Sequence, residues 1–399
     1  MAAAVGSALE PTARGVFRLS LRRAVEPEHS DPRNEPWRAR VRAAWVSAGI
    51  AAVCVLAFLA TVGACAASSE APGRVALESL YGMSSCRATL EGAGALSLAR
   101  VWVDGEWWRI ATTGFLHGSW LHLALNIWSL WSVGEWAERA WGHWRTAALF
   151  FISCLAGSLG SLAWAEAPVV VGASAGILGI AGALLVGRIG GDENTRTRLA
   201  GVSPIGLAIT LVVLFAIGAI VPVIAQAGHV GGLLGGTATA WAGMQRGWLR
   251  GAVALVLAVG GNEVVHIAAK PNARAHYHEF VGFRLIDRGE PQAALAPLER
   301  ALELAPGDPA ISNAVAYGLA LAGSDLERAD ALVDEALAAE PENPNYLDTK
   351  GWIACRRGDV EGGMVLLQRA SDGAEVPVEE IELHLKTCDG ANVSRETSR

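Results

Sequence analysis

Gly172-Ala173-Ser174-Ala175-Gly176-Ile177-Leu178-Gly179 opens an apolar segment that runs to about Val186, and its reading decides the rest of the chain. A serine flanked by alanines, with glycines just beyond, at the first turn of a membrane-length helix, is a costly group to bury without compensation. Its small neighbours clear space around the hydroxyl. The helix N-terminus adds free backbone N–H groups and a partial positive charge. A nucleophile and the oxyanion it generates need both. The plainer alternative is a packing face, because Ala175, Gly179, Ala183 and Gly187 recur at every fourth position, a stripe that lets helices approach closely. The residues that decide between the two are His122, Asn126 and His229.

The chain has 399 residues, of which 52% are hydrophobic, and a mean hydropathy of +0.32. That length exceeds one ordinary domain. Because the last third reads as soluble, the first two-thirds must be strongly apolar, which points to a polytopic membrane protein. Charge divides the same way. Residues 271–399 carry 12 Lys/Arg and 23 Asp/Glu, a net of −11, while residues 1–270 carry 20 and 16, a net of +4. Of the six cysteines, Cys54 and Cys154 sit in apolar runs and read as packing residues. Cys65–Cys86 and Cys355–Cys388 could each pair if their segments face an oxidising space, and no CxxC or metal spacing is present.

Residues 1–42 form an arginine-rich tail with no apolar core, so no cleavable leader is expected. The first span, about 43–67, follows it directly, which puts the N-terminus in the cytoplasm. After a long outer loop at 68–106, further spans are expected at about 113–137, 146–165, 172–187, 204–223 and 227–244. The connections between these spans on the inner side hold Arg139, Arg145, Arg188, Arg196, Arg198, Arg246 and Arg250, as the positive-inside rule requires. A seventh span at about 251–269 would carry Asn262, Glu263 and His266 in its second half, and would return the chain to the outer face. The second, fourth and sixth spans all enter from the outer face, and their entry ends carry His117 and His122, Ser174, and His229. Three separate spans thus bring polar residues to one depth.

His122 and Asn126 are four apart and share a helix face. Gly228, Gly232, Gly236 and Ala240 form a second small-residue stripe beside His229. Two such stripes permit the close approach that a short serine side chain needs to reach an imidazole on another helix. His229 then reads as a base toward Ser174, with His122, Asn126 and the Ser174 N–H as oxyanion donors. Spans four to six hold no Asp or Glu, so a dyad fits better than a triad. His117 and His122 lack the i,i+4 spacing of a helical chelate, and no metal or other cofactor is expected.

At these residues the segment from about 105 to 240 resembles the rhomboid family of intramembrane serine proteases. The matching pieces are Trp108-Arg109, His117 with His122 and Asn126, Glu138 and Gly142, Gly172-Ala173-Ser174, and Gly228-His229 with its glycine run. The resemblance implies a six-helix core, Ser174 as nucleophile, His229 as base, and His122 with Asn126 at the oxyanion. It makes His117, Glu138 and Arg109 structural. Ala175 departs from the glycine that many members carry after the serine.

Residues 275–372 repeat with a period of about 34–35 residues. Gly282 and Gly351 are two periods apart, and Ala301-Leu302-Glu303-Leu304-Ala305-Pro306 recurs as Ala336-Leu337-Ala338-Ala339-Glu340-Pro341. This resembles tetratricopeptide repeats, helical pairs that stack because none buries its apolar face alone. The expectation is an all-α protein: a polytopic helical bundle followed by an α-solenoid. Its parts would be a cytoplasmic basic tail at 1–42, a protease core at 43–245, a seventh span at 246–270, repeats at 271–388 and a disordered tail at 389–399. The expected role is an endopeptidase of a bacterial inner membrane acting on transmembrane proteins near the outer face. The alternative is an inactive scaffold that presents the repeats. The bilayer, transmembrane substrates and a protein or peptide partner of the repeats are the expected partners, and no nucleic acid is among them.

Overall fold

A computed structural model of the chain describes residues 37–69, 72–82, 86–164, 169–220, 226–245, 260–261, 263–268, 271–374 and 378–396. These residues are almost wholly helical, as the sequence implies. A short α1 (Trp37–Ala43) leads into α2 (Trp45–Ser68). Along α2, Ile50, Cys54, Phe58 and Cys65 turn inward, while Val53, Leu56 and Leu59 are 47–66% exposed. An apolar helix with an apolar outer face is suited to hydrocarbon rather than water.

The outer loop is an ordered layer rather than a plain connection. It contains α3 (Pro72–Glu78), α4 (Arg87–Gly92), strand β1 (Leu96–Ser97), α5 (Leu98–Trp102), α6 (Arg109–Thr112) and a single 3-10 turn at Thr113–Phe115. A Cys65–Cys86 disulfide ties it to the end of α2. Arg109 holds it from within. Only 3% exposed, Arg109 donates to the Glu91 and Ala95 carbonyls and pairs with Glu106.

The bundle continues through α7 (Trp120–Trp141), α8 (His143–Trp164), strand β2 (Val169–Val170), α9 (Ser174–Gly190), a short α10 (Glu193–Arg198), α11 (Pro204–Ile220) and α12 (Gln226–Met244). The second span becomes helical only at Trp120, where the Ser119 hydroxyl accepts the His122 N–H at 3.1 Å. It ends at Gly142, whose φ of 85° suits glycine. Residues 113–119, expected inside that span, form the turn and extended approach to it. Among the described residues, α2 and α8 are long and apolar enough to cross a bilayer by length and composition. α9 is shorter, and most of it is buried: Gly176 to Leu184, with Gly187, are all shielded. It packs against α7, α8 and α12 at the centre of the bundle. Residues 251–259 of the expected seventh span and the tail up to residue 36 lie outside the described residues, whereas 260–261 and 263–268 are helical.

The C-terminal part is three helical hairpins followed by one further helix. They are α13 (Ala275–Asp287) with α14 (Pro291–Leu304), α15 (Pro309–Ala322) with α16 (Leu326–Ala339), α17 (Pro344–Arg357) with α18 (Val360–Gly373), and then α19 (Glu379–Glu396). The repeated glycines mark the helix crossings. A Cβ at Gly282 would lie 2.5 Å from Leu298, and one at Gly351 would lie 2.9 Å from the Gly363 carbonyl. The tail expected to be disordered from residue 389 continues α19 as helix as far as Glu396, and the part of α19 before it is docked. Its Glu380 takes a hydrogen bond from Tyr317, and its His384 meets Asp348 at 2.9 Å and stacks on Trp352 at 4.4 Å. Cys388 closes a disulfide with Cys355.

Candidate active site

Ser174 starts α9 and His229 lies in the first turn of α12. The contact between these helices is backbone on backbone. A Cβ added at Gly232 would fall 2.3 Å from the Ala175 carbonyl oxygen, and one at Gly236 would fall 2.4 Å from Gly179 Cα. The two small-residue stripes of the sequence therefore face each other. At that approach Ser174 Oγ and His229 Nε2 stand 2.8 Å apart, a full hydrogen bond. The Phe215 ring lies edge-on to His229 at 6.5 Å. Among the described residues no carboxylate hydrogen-bonds His229, and no group of three His, Cys, Asp or Glu is gathered as a metal site.

His122 and Asn126 sit one turn apart on α7 and face the segment that leads into Ser174. A Cβ at Gly172 would lie 2.8 Å from His122 Cε1 and Nε2 and 3.7 Å from Asn126 Nδ2. The φ of 128° at Gly172 also favours glycine. Asn126 is 7% exposed, and its Nδ2 has no protein partner. A buried donor left unpaired is unusual, and this one lies beside Gly172, two positions before Ser174. His117 precedes α7 and packs edge-on against His122 at 5.1 Å. Thr113 fixes the same segment from the outer loop: its hydroxyl donates to the Val170 carbonyl at 2.5 Å, and its carbonyl accepts the Gly172 N–H at 3.1 Å.

The remaining residues singled out by sequence lie apart from Ser174. Arg109 organises the outer loop. Glu138 is at the far end of α7, twelve positions from Asn126, or about 18 Å at ~1.5 Å rise per residue. There its carboxylate accepts the Val46 and Ser47 N–H groups at 3.1 and 2.8 Å and meets His143 Nδ1 at 2.6 Å. It thus satisfies orphan donors at the start of α2. Two glycines not singled out complete the packing. A Cβ at Gly157 would meet Ala175 Cβ at 2.5 Å and the Gly228 carbonyl at 2.8 Å, and one at Gly160 would meet the Ala227 carbonyl at 2.7 Å. The signal was the Gly157-Ser158-Leu159-Gly160 run in the third span, a small-residue face like the other two.

Residues 104–246 match the Rhomboid domain family model. The chain is similar to Rhomboid protease GluP of Bacillus subtilis, at 33% identity over 157 residues, covering 39% of this chain and 30% of that protein. It is 37% identical over 153 residues to RHOMBOID-like protein 5 of Arabidopsis thaliana, covering 37% and 47%. It is also 32% identical over 121 residues to Inactive RHOMBOID-like protein 8 of the same plant, covering 30% and 34%. The chain thus spans between about a third and half of the length of these relatives. Members of this family are integral membrane proteins, and relatives from both a bacterium and a plant do not single out a bacterial inner membrane.

Proposed function

From a chain that carries a rhomboid domain over residues 104–246, we propose an intramembrane serine endopeptidase that cleaves transmembrane proteins near the face where α9 begins. The observation that supports it most is the 2.8 Å contact between Ser174 Oγ and His229 Nε2 on two helices in backbone contact. In this reading Ser174 Oγ attacks the scissile carbonyl carbon while His229 Nε2 takes its proton. The oxygen that becomes negative is held by the Ser174 N–H, His122 and Asn126 Nδ2. The C–N bond then breaks, the proton passes from His229 to the departing amine, and the acyl group stays on Ser174. Water, deprotonated by His229, attacks that acyl carbon, releases the carboxylic product and returns the hydroxyl to Ser174.

The test uses the full chain in detergent. A small fluorophosphonate should label Ser174, and a generic transmembrane substrate should be cut. Ser174→Ala and His229→Ala should each end cleavage with the fold intact, and the two losses should not add, because the pair acts as a unit. Cleavage by Ser174→Ala at the wild-type rate would refute the mechanism. An unlabelled, inactive wild type would leave the scaffold reading in its place.

A further inference from the structure

The first hairpin of the repeats is built into the outer loop. Ala268 and Phe280 share an apolar cluster with Leu96, Leu98 and Val101 of the loop, Leu162 and Ala163 at the end of α8, and Val170 of β2. Trp102 Nε1 donates to the Ala268 carbonyl at 3.0 Å, and its ring lies 6.4 Å from that of Phe280. The Arg274 guanidinium sits 5.4 Å over the same indole. It also donates to the Leu162 carbonyl at 2.8 Å and to the Ala163 carbonyl. These carbonyls belong to the last turn of α8, which has no intrahelical donors left for them and carries the negative end of the helix dipole. A planar, charged fork answers both needs. Farther out, Arg284 pairs with Asp104.

This seam lies next to the chemistry in the chain. Ala163 and Ser174 are eleven positions apart. Between them β2 pairs with β1, Leu96 opposite Val170 and Ser97 opposite Val169. The repeats therefore hold β1, α5 and the end of α8, and those elements hold the strand that leads into Ser174. Both disulfides fall in the two parts joined by the seam, whereas the two free thiols, Cys54 and Cys154, are buried in α2 and α8. That distribution fits one oxidising compartment for the outer loop and the repeats together.

We propose that Arg274, Phe280 and Arg284 of the first hairpin are positioning residues for the segment entering Ser174, and that the repeats stand on the membrane face from which Ser174 is reached. The positional claim rests on the protease reading; the docking does not, and the arms of the test separate them. In the full chain, Arg274→Ala should speed amide hydrogen exchange in residues 96–104 and 169–173 by about 10-fold or more, as local opening becomes easier. It should lower kcat by about 10- to 100-fold, the scale of a ~1 Å misplacement, with KM little changed. Arg284→Glu, a substitution at a partly exposed surface site, should act in the same direction more weakly. Pairing it with Asp104→Arg should restore both exchange and kcat, a rescue that general destabilisation does not give.

Asp372→Cys and Tyr81→Cys, on the repeats and the outer loop, should react with a membrane-impermeant maleimide from the same side of oriented vesicles. Unchanged exchange in Arg274→Ala, or labelling of the two cysteines from opposite sides, would overturn the docking. Faster exchange with wild-type kcat would overturn the positioning role. If the wild type neither cleaves nor takes up fluorophosphonate, the protease reading fails and the positioning claim with it, while exchange and labelling still decide the docking.

Discussion

Gly232→Ala places one methyl group where the geometry leaves no room. Its Cβ would lie 2.3 Å from the Ala175 carbonyl oxygen, against a normal carbon–oxygen contact of about 3.3–3.6 Å. The obstacle is backbone on both sides, so no side chain can swing away. The helices must part by about 1 Å to recover that contact distance. Ala175 follows Ser174 and Gly232 is one turn from His229, so most of that separation reaches the 2.8 Å Ser174–His229 contact. A bond stretched to nearly 4 Å is no longer a hydrogen bond, and a misplacement of ~1 Å costs about 100-fold in rate. Overpacking should cost about 1–3 kcal/mol of stability as well. The assay is turnover of a transmembrane substrate, with fluorophosphonate labelling rate and thermal unfolding measured in parallel. Gly49→Ala is the control: it lies in the second turn of α2 with nothing within 4 Å of the added carbon and should leave turnover unchanged. Wild-type turnover by Gly232→Ala would mean that helix contact does not set the reach between serine and histidine.

Asn126→Ala should lower kcat by about 10²–10³-fold, the effect of losing one oxyanion donor, with little change in KM in steady-state kinetics. Glu138→Gln should cost about 1–3 kcal/mol of stability by weakening a buried acceptor of helix N–H groups, seen as a lower melting temperature with the fluorophosphonate labelling rate retained. Cys355→Ser should destabilise the repeats by about 2–4 kcal/mol, seen as protease sensitivity confined to the C-terminal part. EDTA should leave cleavage intact, and loss of activity restored by zinc would replace the serine mechanism with a metal one.

Much of the candidate site was legible because it rests on local chemistry. Ser174, His122, Asn126 and His229 are polar residues in apolar spans, and counting spans brings their ends to one depth. The glycine stripes around Ser174 and His229 imply the close approach by their spacing alone. What stayed hidden rests on contacts between distant residues. β1 and β2 are two residues each, too short for any periodicity to register. Trp102 meets Ala268 across 166 positions, and neither residue looks special in its own segment. The disulfides were open alternatives because pairing depends on Cα separations, here 5.6 and 5.8 Å, that spacing does not reveal. At the C-terminus the expected boundary at residue 388 falls inside α19, whose helix runs on to Glu396, because a polar composition marks no helix end there.

That last helix has a consequence for anyone looking for what the repeats bind. α19 packs against α18 and α17, with His384 stacked on Trp352 at 4.4 Å and Cys388 joined to Cys355, and it reaches α15 through the hydrogen bond from Tyr317 to Glu380. The array already hosts a guest, and that guest is its own chain. A fragment trimmed before residue 379 would uncover Trp352, Tyr317 and a free thiol on one surface, and peptides caught there would report the trimming. Bait proteins should therefore keep residues 379–396 and stay unreduced, and competition by a synthetic copy of that helix would show which captured ligands merely take its seat.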